Sequence, residues 1–201
     1  MTAHRCVGVI LAGGGATRFG GRSKGLQVVE GQRIIDRVAA ALREVTDELL
    51  LVANDPGAAA WLPGVRTAAD VRTGEGALGG LHAALAHAGG SAALVVAWDM
   101  PFVAAGLLRA LRALGEAGAD AAVPESETSG RGVEPLCAWY GPACLLAIER
   151  RLDAGDRRVV AFFEDVRVSR LAAADVARWG DPGRIFWNVN SPADLSNTPC
   201  R

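Results

Sequence analysis

A chain of 201 residues is long enough to bury one sizeable core and short for two, and 50% hydrophobic with 21% charged residues is the make-up of an ordinary globular protein. Its 21 Lys and Arg against 22 Asp and Glu leave a net charge of -1, which argues against nucleic acid or an anionic membrane as partner, since both select a basic surface. No apolar run reaches the length of a membrane span, and Met1-Thr2-Ala3-His4-Arg5 has no signal-peptide layout, so the expected location is the cytoplasm.

The first predicted element is the apolar run Cys6-Val7-Gly8-Val9-Ile10, short and free of charge, as in a strand buried on both faces of a parallel sheet. It runs into Leu11-Ala12-Gly13-Gly14-Gly15-Ala16-Thr17-Arg18-Phe19-Gly20-Gly21-Arg22-Ser23-Lys24. Gly13, Gly14 and Gly15 remove every Cβ where the chain must turn, so backbone N–H groups can approach a ligand, and Arg18 and Lys24 add two cations. Bare amides beside positive charge suit a chain of phosphates. Two familiar phosphate loops are excluded. A P-loop needs Gly-Lys-Ser/Thr where Gly20 is followed by Gly21-Arg22, and the dinucleotide fingerprint needs a glycine where Arg18 stands.

Beyond the loop, Gly25 to Gly31 is predicted as a short extended segment, and Ile34, Ile35, Val38, Ala41, Leu42 and Val45 recur at helical spacing. Glu48 to Ala53 is a second strand closed by the turn Asn54-Asp55-Pro56-Gly57. A short helix over Ala58 to Leu62 and a short strand over Val65 to Thr67 follow, the latter ending at Ala69-Asp70. Gly74 to Gly80 reads as a glycine-dense loop opening a helix over Leu81 to His87. Ala92 to Ala97 is a buried strand stopped at Trp98-Asp99-Met100-Pro101. Then come a helix over Leu107 to Ala117, a strand over Ala119 to Val123, a polar loop to Gly132, a strand over Glu134 to Tyr140 and a helix over Cys144 to Leu152. A helix over Arg158 to Glu164, a strand over Val166 to Val168, a last full helix over Leu171 to Trp179 and an apolar strand over Ile185 to Pro192 complete the expectation. Strands alternating with helices predict a three-layer α/β/α fold around a mostly parallel, doubly wound, Rossmann-like sheet in one domain spanning 1–201. Cys6, Cys137, Cys144 and Cys200 lack the spacing of a zinc site or a disulfide framework and read as structural.

In such a sheet ligands bind beyond the carboxyl ends of the strands. Those ends carry the Gly13 loop, Asn54, Asp70, Gly76 to Gly80, Asp99 and Asn188 to Asn190. Asp99, a hard oxygen ligand just past an apolar strand, suits Mg²⁺ bridging nucleotide phosphates, a site that needs only one or two protein carboxylates; by itself it would equally suit a turn or helix cap. Asn54 and Asp70 fit either a ligand contact or a turn. His4, His82, His87 and the serines form no hydrolase arrangement, which phosphoryl transfer does not require.

With these residues in hand, the chain resembles the molybdenum cofactor guanylyltransferases, within the nucleotidyltransferases of nucleotide-diphospho-sugar transferase type. The resemblance rests on Leu11 to Lys24, Gly76 to Leu81, Asp99-Met100-Pro101, Glu134-Pro135-Leu136, Arg157-Arg158-Val159 and Trp187-Asn188-Val189-Asn190-Ser191-Pro192-Ala193-Asp194-Leu195. It implies transfer of GMP from GTP to the terminal phosphate of molybdopterin or its molybdenum form, with release of pyrophosphate. Leu11, Ala12, Gly13, Gly14, Gly15, Asn54, Asp70 and Gly79 would bind the nucleotide, Asp99 would hold Mg²⁺, Lys24 and Arg18 would steady the phosphates, and Asn188 and Asn190 would face the acceptor. The nucleotide half would cover about 1–105 and the acceptor half about 106–201, with other proteins of the cofactor pathway as partners. One departure is Ala77, where the family pattern has proline, so guanine and cytosine both stay open. A cytidylyl or sugar-1-phosphate transferase, and a non-catalytic nucleotide-binding regulator, are the alternatives.

Overall fold

β1 (Cys6–Ala12) lies inside the sheet because its side chains are apolar on both faces. Cys6 and Ile10 enter one core and Val7, Val9 and Leu11 the other, as the twofold strand period requires. Gly8 completes the first set, and a Cβ there would stand 2.6 Å from Thr46 Oγ1 and 2.7 Å from a Leu49 methyl. The computed structural model describes residues 5–13, 24–196 and 198–199.

After a 3₁₀ turn (Lys24–Leu26) the chain forms the small hairpin β2 (Val28–Val29) and β3 (Gln32–Arg33), then α1 (Ile34–Arg43), β4 (Glu48–Ala53) and β5 (Arg66–Ala68). Next come α2 (Gly76–His87), β6 (Ala92–Ala97), α3 (Ala105–Glu116), β7 (Ala121–Ser126), β8 (Gly132–Val133), β9 (Cys137–Tyr140) and α4 (Ala143–Asp153). β10 (Val168–Leu171) and the short helices α5 (Ala173–Val176), α6 (Pro182–Ile185) and α7 (Pro192–Ser196) end the chain. The main sheet has the order β10-β7-β9-β6-β1-β4-β5, with β8 paired to β7. α1 and α3 cover one face through Ile35, Val38, Leu42, Leu107 and Leu111, and α2 and α4 the other through Leu78, Leu81, Leu85, Cys144 and Ile148. The expected three-layer, mostly parallel arrangement is present.

β6, β1, β4 and β5 run parallel, with Leu11 opposite Ala97, Ala12 opposite Ala53 and Val52 opposite Ala68. Their carboxyl ends therefore share one rim. β9 is antiparallel to both β6 and β7. The chain turns back from β7 through β8 without a crossover helix, and a short return of that kind gives antiparallel pairing.

Four expectations are corrected. The Gly76 to Gly80 stretch is the first part of α2 rather than a loop, because burial of Leu78, Leu81, Ala84 and Leu85 outweighs weak helix propensity. Arg158 to Glu164 contains only a 3₁₀ turn at Ala161–Asp165. The last full helix is absent: Leu171 ends β10, and a single turn of α5 passes into a 3₁₀ turn (Ala177–Trp179) that stops at Gly180, φ 135°. Ile185 to Pro192 is not a strand. Ile185, Phe186 and Val189 are buried against the α1/α3 side of the core, so the apolar run is consumed by packing rather than pairing.

Candidate active site

The shared rim opens into a cleft of about 630 Å³. Leu11, Ala12 and Gly13 reach it from β1, Asn54 from β4, Asp70 from beyond β5, Gly76 and Gly80 from α2, and Asp99 from the turn after β6. Two backbone bonds fix the rim. Trp98 N donates to Leu11 O at 3.1 Å, locking the end of β6 to the end of β1, and Val189 N donates to Asp99 O at 3.0 Å. The second bond brings Asn188 and Asn190, almost ninety positions away in sequence, to the same opening as Asp99.

Asp99 is 8% exposed. Its Oδ2 accepts a hydrogen bond from Lys24 Nζ, an ion pair between residues 75 apart in sequence. Its Oδ1 is buried and has no hydrogen-bond partner among the described residues. A buried carboxylate oxygen left unpaired costs free energy unless a ligand satisfies it, and a hard anionic oxygen is what a divalent cation of the magnesium type takes. No group of three or more His, Cys, Asp or Glu stands ready for a metal among the described residues. The donor set therefore fits a cation held by one or two carboxylates and completed by ligand phosphates and water, not an all-protein cage.

Lys24 is set by the residue after it. Gly25 packs on the Trp98 indole, where a Cβ would come within 2.3 Å of a ring carbon, and Trp98 stacks on Trp61 with centroids 5.2 Å apart. Asn54 and Asp70 hold each other: Asn54 Nδ2 donates to Asp70 Oδ2 at 2.7 Å, and Asp70 N donates to Asn54 Oδ1 at 2.8 Å. At the other end, Asp194 accepts from Asn190 N and Ser191 N at 2.7 and 2.8 Å, the returning half of a capping box at α7. Behind Asp99, Phe102 stacks on Trp187 at 5.8 Å, and the Arg184 guanidinium lies 3.6 Å above Phe102 while pairing with Glu30 at 2.5 Å. This ties the segment before Asn188 to the β2–β3 hairpin.

Of the sequence-predicted residues, Leu11, Ala12, Gly13, Lys24, Asn54, Asp70, Asp99, Asn188 and Asn190 line the cleft together. Gly79 does not stand with them. A Cβ there would meet Glu75 Cβ at 2.7 Å and Arg72 O at 3.3 Å, so its glycine is explained by packing at the start of α2, while Gly76 and Gly80 face the cleft. Gly14, Gly15 and Arg18 lie outside the described residues. Sequence reasoning missed Arg131, Glu134 and Trp98 as lining residues. Glu134 is 6% exposed, and burial pushes its carboxyl above the usual carboxylate range, with Asp99 adding to the rise while a hydrogen bond from Leu136 N and the nearby Arg131 oppose it. The signal available in the sequence was a charged residue at the entry of an apolar strand, flanked by glycines and a proline.

The profile of the MobA-like NTP transferase domain matches residues 8–171. A Desulfosudis oleivorans protein named molybdenum cofactor guanylyltransferase is 36% identical over 190 residues, covering 94% of this chain and 91% of its own. A Pelotomaculum thermopropionicum protein named probable molybdenum cofactor guanylyltransferase is 38% identical over 191 residues, covering 95% and 90%. Among solved structures, molybdopterin-guanine dinucleotide biosynthesis protein A from Archaeoglobus fulgidus matches with a TM-score of 0.78 at 27% identity, over 96% of each chain.

Proposed function

The chain belongs to the MobA-like NTP transferase family, and from that premise we propose that it transfers GMP from GTP to the terminal phosphate of the molybdenum cofactor's pterin. An oxygen of the acceptor phosphate forms a bond to the α-phosphorus, the bond from that phosphorus to the bridging oxygen breaks, and pyrophosphate leaves. Phosphate monoesters are already largely anionic near neutral pH, so no general base is needed. The work left to the protein is positioning and charge stabilisation. The observation that carries the reading is the Lys24–Asp99 pair lining a cleft that Asn188 and Asn190 also line.

In this reading Asp99 holds a divalent cation, taken as Mg²⁺, through the oxygen that Lys24 leaves open. When bound, such an ion neutralises charge on the nucleotide phosphates. Lys24 binds a phosphate oxygen, joined by Arg18 and the amides of Gly13 to Gly15. Leu11 and Ala12 meet the nucleoside, and Asn54 with Asp70 forms a paired donor and acceptor surface for base or ribose. Asn188 and Asn190 face the acceptor. The first half of the chain, about 1–105, thus serves the nucleotide and the second half the acceptor. A substrate pool of GTP implies the cytoplasm as the site of action.

The test is pyrophosphate release with GTP, CTP or UTP, with and without the pterin phosphate acceptor. Release that requires both GTP and the acceptor supports the assignment. Turnover with CTP in preference to GTP would make the chain a cytidylyl transferase, and tight GTP binding with no release on any acceptor would make it a regulator.

A further inference from the structure

Transfer onto a phosphate monoester drives a dianion toward a chain of phosphates, and the acceptor side of the cleft must offset that repulsion. The described lining residues include three acids, Asp70, Asp99 and Glu134, and two cations, Lys24 and Arg131. Lys24 is engaged by Asp99. The Arg131 guanidinium forms no ion pair or hydrogen bond among the described residues, and it acts on the buried Glu134 carboxyl only through space.

Arg131 also occupies a built position. It sits in the β7–β8 connection between Gly130 and Gly132, with φ of 66° and 72°, a left-handed pair that bends the chain sharply on both sides of it. Ser129 Oγ donates to Ser126 O and accepts from Arg131 N, each at 3.2 Å, and Ser126 Oγ and Thr128 Oγ1 share a hydrogen bond of 3.1 Å. Glu134 N donates to Pro124 O at 3.0 Å and closes the arm. The arm belongs to the half of the chain that also supplies Asn188 and Asn190 to the cleft.

We propose that Arg131 binds the phosphate of the acceptor, presenting its planar guanidinium to two phosphate oxygens and holding the attacking group in the cleft. A guanidinium suits this task because its parallel N–H pair matches two oxygens and its charge persists at all relevant pH. The proposal rests on the transfer reaction given above.

The experiment measures steady-state kinetics of Arg131→Gln and Arg131→Lys with GTP and the pterin phosphate acceptor, alongside direct titration of the acceptor into each protein without GTP. For Arg131→Gln the acceptor KM and Kd should rise by about 10- to 100-fold, in line with loss of one charge-assisted contact, while the KM for GTP stays within about twofold and the melting temperature is unchanged. Arg131→Lys should recover part of the loss. An unchanged acceptor Kd in Arg131→Gln, or a rise confined to the GTP KM, overturns the assignment even when the wild-type enzyme turns over. If the wild type binds the acceptor through Arg131 yet forms no product, the transfer reading fails and the phosphate site stands.

Discussion

Asp99 meets two demands with its two oxygens. Oδ2 anchors Lys24, while Oδ1 is buried with no hydrogen-bond partner among the described residues and is the oxygen proposed above to meet a cation. Asp99→Asn keeps the shape of the side chain and its bond to Lys24 but removes the charge. Pyrophosphate release by this variant should fall at least about 100-fold, the order expected when one preorganised electrostatic contact is lost, with the far-UV circular dichroism spectrum unchanged; activity within a few-fold of wild type would remove Asp99 from the reaction. Gly25 acts one step further back. Its Cα rests against a Trp98 ring that Trp61 holds in place, so Gly25→Ala must displace the turn that carries Lys24. We expect about 1–3 kcal/mol of destabilisation from overpacking and a loss of kcat/KM for GTP of about tenfold or more. Adding Trp98→Leu should restore part of that activity, and a double variant no better than Gly25→Ala would show that the close approach is irrelevant to Lys24.

Among the elements, β10 is the edge strand beside β7, and an ion pair at its start holds it there. Asp120 accepts from Arg167 N at 2.9 Å and from Nε and Nη2 at 3.1 Å each. The side-chain and backbone hydrogen bonds from Arg167 hold the Asp120 carboxyl below its usual range. A carboxyl with a lowered folded-state value adds stability above its unfolded value, about 3.9, and loses that contribution as pH falls through the folded value. The difference in unfolding free energy between wild type and Asp120→Asn should therefore be constant from pH 7 to about 5 and shrink below about 4. Urea titrations at pH 7, 5 and 3 measure it, and a gap that stays the same at all three would mean that the pair contributes nothing through its charge. Arg167 is 77% exposed at its side chain, so screening keeps the total effect modest.

At the scale of the molecule, the two proposed halves share one sheet and one set of cores. β6 is bonded on one side to β1 and on the other to β9, and the cluster under α1 and α3 draws residues from Cys6 to Val189. Neither half can leave without exposing the other, so thermal unfolding should be a single transition with equal calorimetric and van't Hoff enthalpies. Two resolved transitions would divide the chain into independent domains. The buried thiols give a second readout. Burial pushes Cys6 up to about 11 and Cys144 up to about 12, and raises Cys137 further. In a Cys200→Ser background, none of the three should react with Ellman's reagent at pH 8 until the protein unfolds, and all three should become reactive together.

What the amino-acid sequence determined by itself was local chemistry: strands over Cys6 to Ile10, which the structure extends to Ala12, and over Glu48–Ala53 and Ala92–Ala97, because uninterrupted apolar runs have few other uses, and the polar residues that follow them, because a parallel sheet brings strand ends together. Asp99, Lys24, Asn54 and Asp70 were legible for that reason. Tertiary structure alone decided the rest, since long-range packing has no local signature. It turned the glycines before Leu81 into helix through the burial of Leu78 and Leu81, and spent the run from Ile185 to Val189 on covering a core instead of extending the sheet. It also sent β9 back antiparallel between β6 and β7. The same fold brought Arg131 to the cleft from a stretch whose sequence reads as an ordinary polar loop, and Glu134 from the start of what reads as an apolar strand.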